Sequence, residues 1–288
     1  MKLTLTVGLP ASGKTTWARD KAKKDGNIRL VSRDDIRTTL FGRTLGYKHT
    51  KEKEETVSKV ALDIVNLCLT QGKNVIIHDT NLRFADREPW REVAAKFGAC
   101  FELEYFDVPI PQLLERNHSR GDKAIPVSIL WAMYSRYKKM RGWKPIEFDK
   151  RLPPAVIFDV DGTLVHIGQR SPFDFSKVID DPANEPVQEL FRMYQDQGYM
   201  CLVVSARTNV GDCFKDTLEN LKATGCVPAK AYMRTDGDCR PDMEVKEDIL
   251  HEIAKEYNPI VAVDDRDTPV GMWRMHGITC LQVDYGDF

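Results

Sequence analysis

Two stretches of this sequence carry residue types and spacings suited to phosphate chemistry. The first is Gly8-Leu9-Pro10-Ala11-Ser12-Gly13-Lys14-Thr15, a Gly-x4-Gly-Lys-Thr pattern. Glycines at both ends let the backbone curl so that its N–H groups point inward at a phosphate, and the helix expected to follow adds partial positive charge. Lys14 is placed to neutralise the β and γ oxygens of a nucleoside triphosphate, and the Thr15 hydroxyl to help hold Mg²⁺. The loop residues Gly8, Ser12, Gly13, Lys14, Thr15 and Thr16 are the expected contacts to the donor, ATP or another NTP. The second stretch is Asp159-Val160-Asp161-Gly162-Thr163. Carboxylates two apart at a strand end can divide labour: Asp159 attacks phosphorus and Asp161 protonates the leaving oxygen. Two anions repel, so this chemistry calls for Mg²⁺ between them.

Each motif has companions further along. Asp34 and Arg37, in Ser32-Arg33-Asp34-Asp35-Ile36-Arg37, offer a proton acceptor for an attacking hydroxyl and a cation for a nearby phosphate. A helix cap plus surface charges is the plainer alternative. Arg116 and Arg120 are four apart, the spacing of one helix face, and would stabilise charge on a transferring group. Asp79 and Thr80 end a buried strand and are candidates for an acceptor pocket. Trp131, Tyr134, Arg136, Tyr137, Lys138, Lys139, Arg141, Trp143 and Lys144 interleave aromatic and basic groups, a pattern that serves either single-stranded nucleic acid or a core with solvated lysines. For the second motif, Ser205 and Arg207 follow an apolar strand and supply a hydroxyl and a cation. Lys246 is expected to open a helix. Asp264 and Asp265 end a third strand as further metal carboxylates.

These residues need strands to deliver them. Leu3, Leu5 and Val7 alternate with Thr4 and Thr6, and Ile28–Val31, Val75–Ile77 and Phe101–Phe106 are expected as further strands. Helices are expected to about Lys24 and over Lys51–Thr70, Arg83–Phe97, Pro111–Ser119 and Pro126–Met140. Pro145, Pro153 and Pro154 mark a boundary, giving domains 1–147 and 153–288. Beyond it, strands at Ala155–Phe158, Cys201–Val204 and Ile260–Val263, with a helix near Val245–Tyr257, repeat the alternation. Strands alternating with helices imply two α/β domains with parallel sheets, whose ligands sit at the C-terminal strand ends.

Composition narrows the class. The chain has 288 residues, 42% hydrophobic and 30% charged, as in globular proteins that fold in water. Lys and Arg outnumber Asp and Glu by 28 to 19 over residues 1–150, and the balance inverts to 14 against 24 beyond. A basic first half suits polyanions, and an acidic second half is compatible with a metal site. Seven cysteines without a CxxC spacing argue against a disulfide framework or zinc. No apolar run approaches a membrane span, and the N-terminal strand pattern argues against a signal peptide, so a cytoplasmic location is expected.

With both constellations assembled, the sequence resembles the bacteriophage-type polynucleotide 5′-kinase/3′-phosphatases over nearly its whole length. The segments Arg116-Asn117-His118-Ser119-Arg120-Gly121 and Lys123-Ala124-Ile125-Pro126 are the most specific part of that likeness. The resemblance implies a P-loop kinase domain followed by a phosphatase domain of the haloacid-dehalogenase (HAD) superfamily, with no added ligase or forkhead-associated domain. It implies Asp34 as general base for a 5′-hydroxyl, Arg37 on the adjacent phosphate, and Arg116 and Arg120 in the donor clamp. Asp79, Thr80 and Ile125 would line the acceptor side. In the second domain it implies Arg170, Arg207, Asp242 and Lys246 around the phosphate, and Asp159, Asp161, Asp264 and Asp265 as the Mg²⁺ shell. RNA and DNA ends as substrates, action alongside an RNA ligase in an infected host cell, and a homotetramer are implied likewise. Ala11 replaces a glycine of that pattern, and Met243 stands where an acid follows Asp242. A small-molecule kinase fused to a metabolite phosphatase, or a non-catalytic nucleic-acid scaffold, are the rival expectations.

Overall fold

The computed structural model describes residues 1–42, 49–168, 170–171 and 174–284. The chain divides into two units, Met1–Trp143 and Lys144–Phe288, each an α/β structure with its own parallel sheet.

In the first unit, β1 (Lys2–Gly8), β2 (Ile28–Val31), β3 (Asn74–Ile77) and β4 (Cys100–Phe106) form a sheet of order β2-β3-β1-β4. Between them run α1 (Lys14–Lys24), α2 (Arg33–Phe41), α3 (Lys51–Thr70) and α4 (Phe84–Lys96), followed by α5 (Ile110–His118) and α6 (Val127–Met140). β1 lies between β3 and β4, so its loop opens where the strand order reverses. The alternation in β1 suggests one solvated face, yet Thr4 and Thr6 are buried as well. A central parallel strand is covered on both sides, and Thr6 satisfies its hydroxyl on the Asp79 carbonyl at 2.9 Å. Along α3 the buried stripe is Val57, Ala61, Val65 and Leu69, which packs with Leu3, Leu5, Val75 and Ile77 into one core.

The second unit places β5 (Pro154–Phe158) between β6 (Met200–Thr208) and β8 (Asn258–Asp264), with β7 (Lys230–Arg234) and β9 (Thr279–Gln282) at the edges. Its helices are α7 (Glu185–Asp196), α8 (Cys213–Ala223), α9 (Asp242–Glu256) and α10 (Asp267–Met275). β5 is the apolar run that the pattern suggests: Ala155, Val156, Ile157 and Phe158 are all buried. Its register pairs Phe158 with Val263, so the next residues, Asp159 and Asp264, emerge side by side. That juxtaposition comes from strand pairing alone.

Two local expectations need correction, and one open reading is decided. α5 ends at His118 and Arg120 lies beyond it, in the turn before a 3-10 segment, so Arg116 and Arg120 do not share a helix face. Lys246 is the fifth residue of α9 rather than its opening one, because Pro241 precedes the first turn. The aromatic members of the basic-aromatic stretch are largely core: Trp131, Tyr134 and Tyr137 are buried. Arg141 is also committed, stacking 4.4 Å over Tyr105 and pairing with Asp107 at 3.0 Å. Among the described residues no helix is long and apolar enough to cross a membrane.

Candidate active sites

The loop after β1 has the geometry of an anion cradle. A Cβ on Gly8 would meet the Phe106 Cβ at 2.8 Å, so close approach to β4 forbids a side chain there. Gly13 has φ 91° at the start of α1, a conformation glycine adopts freely. Ala11 also has positive φ, 65°, where an L-residue is strained. Thr80 closes the loop's base by accepting the Gly8 N–H at 3.1 Å. Lys14 is buried and folds back over the loop, donating to the Leu9 carbonyl and to the Ser12 Oγ at 3.2 Å. Burial, followed by the nearby Arg120 charge, lowers the ammonium pKa to about 8. Arg120 has a buried Nη1 with no hydrogen-bond partner, and burial lowers its pKa too. Two desolvated cations at this loop suit a polyanionic ligand. Thr15 lies 3.4 Å from the His78 Nδ1, and Thr16 is exposed on the first turn.

Next to this cradle, Ser32 caps α2 by accepting the Asp35 N–H at 3.4 Å. The cap is therefore a serine, and Asp34 is left with its side chain 85% exposed. Arg37 donates to Asp34 at 2.6 Å and grips Glu54 of α3 through Nε at 2.9 Å and Nη2 at 2.6 Å. Glu54 is invisible to motif reasoning, since it is one acid in a charged helix. Held by Arg37, then by His49, it titrates at about 2. Asp79 does not face an open pocket: its carboxylate accepts the Arg33 N–H at 3.0 Å and the Arg33 Nε at 2.9 Å, tying the start of α2 to the end of β3. Ile125 is fixed through its backbone, which exchanges two hydrogen bonds with the Asn117 side chain. Arg116 is exposed and donates only weakly, to Gln112 at 3.4 Å.

The second site lies at the ends of β5, β6 and β8. Lys246 reaches Asp159 at 2.8 Å, Asp264 at 2.9 Å and Asp242 at 3.8 Å, with 1% of its side chain exposed. Asp159, Asp264 and Asp265 bring carboxylate oxygens within 4.8 Å of one another. Three acids thus contact one ammonium, with Asp265 beside them, and among the described residues both Asp265 oxygens, like the Asp242 Oδ1, are buried without a hydrogen-bond partner. Burial, then the Asp264 charge, raises the Asp265 pKa to about 7. Burial and the carboxylates of Asp264, Asp265 and Asp242 push Asp159 well up despite Lys246, and Asp159, Asp242 and Asp264 push Lys246 up despite its burial. An excess of buried negative charge with orphaned hard oxygens fits a divalent cation such as Mg²⁺. Trp273 donates its indole N–H to Asp264 at 3.0 Å, a contact no motif signals. Met243 is buried and leaves Asp242 as the acid at that corner, with Arg266 3.6 Å away.

On the other side of Asp159 stands a cationic pair. Arg207 donates to Asp161 through Nε and Nη2, both at 2.8 Å, and Arg170 reaches the same carboxylate at 2.9 Å. Ser205 is buried and its Oγ accepts the Arg207 N–H at 3.1 Å. Thr163 has a buried hydroxyl without a partner. The sequence-predicted residues of this half therefore converge, whereas Arg116 of the first half stands apart.

Residues 153–288 match the family described as the polynucleotide kinase PNKP phosphatase domain, and residues 3–140 match an AAA domain family. A chain in the structure of the Pnkp1/Rnl/Hen1 RNA repair complex is 30% identical over all of this chain and 97% of its own length, with a TM-score of 0.47. A second such structure gives 32% identity at the same coverage and TM-score. This chain belongs to the polynucleotide kinase/phosphatase family. As in the family, a P-loop kinase domain precedes a HAD-type phosphatase domain. Two curated relatives are more distant from this family member. A protein named as a bifunctional polynucleotide kinase/RNA ligase in Autographa californica nuclear polyhedrosis virus is 26% identical over 95% of this chain. The L-seryl-tRNA(Sec) kinase of Methanococcus maripaludis is 25% identical over 47%. The chain spans only 41% and 52% of the lengths of these two relatives.

Proposed function

We propose that this protein heals nucleic-acid ends, phosphorylating 5′-hydroxyls with an NTP and removing 3′-phosphates. The observation that carries this is the buried Asp159–Lys246–Asp264 cluster beside the Arg170–Arg207 pair, in a chain that also holds the Lys14 cradle. In the kinase half, Lys14 and Arg120 bind the donor phosphates, with Arg116 at the outer edge and Thr15 as a magnesium ligand. Asp34 takes the proton from the attacking 5′-hydroxyl, and Arg37 binds the phosphate of the adjoining nucleotide. Asp79 holds α2 in place for both, and Thr80 and Ile125 contribute backbone at the acceptor side.

In the phosphatase half, Arg170 and Arg207 bind the phosphoryl oxygens, with the Ser205 hydroxyl beside them. A carboxylate oxygen of Asp159 bonds to phosphorus while the bond to the 3′-oxygen breaks, and Asp161 gives that oxygen its proton. Asp161 then takes a proton from water, which cleaves the aspartyl-phosphate. Lys246 keeps Asp159 oriented and offsets its charge, and Asp242 holds Lys246. Asp159, Asp264 and Asp265 are the residues to hold Mg²⁺, which, when bound, supplies the positive charge that lets two anions meet; the Asp161 carboxylate, expected in that shell, is instead committed to Arg170 and Arg207. Family membership supports RNA and DNA ends as substrates, action beside an RNA ligase, and a homotetramer in the cytoplasm of a phage-infected cell.

An assay on nicked RNA and DNA carrying 5′-hydroxyl and 3′-phosphate ends tests this directly. The expected product has a 5′-phosphate and a 3′-hydroxyl. Activity confined to nucleosides or sugar phosphates would overturn the assignment in favour of metabolite substrates.

A further inference from the structure

Trp273 lies on α10, outside every motif, and is 1% exposed. Its indole N–H donates to the Asp264 Oδ2 at 3.0 Å, and the Lys246 ammonium donates to the same oxygen at 2.9 Å. The other oxygen of that carboxylate, Oδ1, accepts the Arg266 N–H at a longer 3.3 Å. α10 packs against α9, β8 and β9, so the indole is held by the elements that also carry Lys246 and Asp264.

The two donors on Oδ2 differ in kind. Lys246 is shared, since it also contacts Asp159 at 2.8 Å and Asp242 at 3.8 Å. Its charge offsets the negative charge that attracts a cation, and its contacts must be re-apportioned once Asp159 bonds to phosphorus. The indole carries one N–H and no charge, and it spends that N–H on Asp264. It therefore fixes the carboxylate without weakening the pull on a metal ion. With Oδ2 taken by two donors, Oδ1 is the less committed oxygen. It belongs to the same cluster as Asp265, whose buried oxygens have no hydrogen-bond partner among the described residues.

We infer that Trp273 is a positioning residue of the phosphatase metal site: its neutral N–H holds Asp264 in the orientation that receives a divalent cation. This rests on the phosphatase function proposed above, in which Asp159, Asp264 and Asp265 hold Mg²⁺. Trp273 touches no reacting atom, so its loss acts through Asp264.

The test uses the full chain without nucleotide, Mn²⁺ as the probe of the Mg²⁺ site, and a 3′-phosphorylated oligonucleotide. Electron paramagnetic resonance counts free Mn²⁺, and Asp264→Asn marks the binding that belongs to this cluster. Trp273→Phe removes the N–H and keeps an aromatic ring. The Kd for that Mn²⁺ should rise by about tenfold or more, as loss of a metal ligand's hydrogen-bond partner implies. The Mn²⁺ concentration for half-maximal phosphate release should rise in step, with kcat at saturating metal within about threefold of native. An unchanged Kd, whether or not kcat falls, would mean that the indole only fills the core and would overturn the inference. Should Trp273→Phe not fold, benzothienylalanine in place of Trp273 keeps the two fused rings and puts sulfur where the N–H was. The same rise in Kd is expected, and an unchanged value again overturns the inference, as does a native chain that binds no Mn²⁺ at this cluster. If the native chain binds Mn²⁺ there yet leaves the 3′-phosphate intact, the parent assignment fails instead, and the Kd comparison still decides the role of Trp273.

Discussion

The kinase cradle and the phosphatase cluster each hold a buried lysine, and the two lysines are under opposite stress. Among the described residues Lys14 has a carbonyl and a hydroxyl for hydrogen-bond partners, and burial drags its pKa to about 8. Lys246 sits among Asp159, Asp242 and Asp264, whose charges outweigh its burial and push its pKa well above the ordinary value. The first cation awaits an anion that arrives with the nucleotide; the second already has its anions, and they await a further cation. The loop that holds Lys14 is short of negative charge, and the cluster around Lys246 carries an excess of it.

Exchanging each lysine for methionine separates the two most sharply. Lys246→Met leaves buried carboxylates uncompensated, so 3′-phosphatase activity should vanish and stability should fall by about 3–5 kcal/mol, read by denaturant unfolding of the second unit. Lys14→Met should also abolish its activity, the 5′-kinase, by roughly 10²–10³ or more. Its effect on stability has the other sign. A lysine whose folded pKa lies below the unfolded value disfavours folding at pH 7, and this penalty fades as pH rises from about 8 toward 10.5. Lys14→Met should therefore unfold at the same or slightly higher denaturant at pH 7, with any advantage gone by pH 10. Equal destabilisation by the two substitutions would dissolve the contrast.

Glu54 offers a gentler probe of the acceptor side. Glu54→Gln loosens Arg37 and should raise KM for the 5′-hydroxyl end by about three- to tenfold, with little change in kcat. Because Arg37 lowers the Glu54 pKa to about 2, its contribution to stability is present above the unfolded value near 4.5 and is lost as pH falls through about 2. Native and variant unfolding curves should thus differ at pH 7 and converge toward pH 2. Ala11→Gly should have the smallest effect. Relief of the positive φ, worth about 1–2 kcal/mol, is offset by the glycine entropy cost of about 0.5–1 kcal/mol. A stabilisation of under about 1 kcal/mol follows, visible in melting temperature with unchanged kinase rates.

The same contrast governs what could be read from the sequence. Strand ends follow from apolar runs, so Asp159 and Asp264 come together as register requires; Ser205, expected where a strand ends, lies instead inside β6, which runs on to Thr208. The β7 and β9 edges, and helices α2, α7, α8 and α10, were not placed, for their periodicity is weaker or interrupted by charges. Helix-face arguments were less secure. The Arg116–Arg120 spacing failed because the helix stops at His118, and a four-residue interval says nothing once the chain turns. Partners fixed by long-range packing left no trace at all. Glu54, Asp181 and Trp273 hold Arg37, Arg207 and Asp264 from 17, 26 and 9 residues away along the chain, and their residue types are ordinary in their surroundings. The aromatic residues of α6 were open to two readings, since a core stripe and a stacking platform share one composition, and burial decides for the core.

The central claim is that two chemistries occupy two separate sites. The direct measurement gives Asp34→Asn and Asp159→Asn, made singly, one oligonucleotide bearing both a 5′-hydroxyl and a 3′-phosphate. Each variant should lose one activity by at least about 10³ and keep the other within about twofold of native. Loss of both activities from either substitution, or of neither from both, would contradict the account.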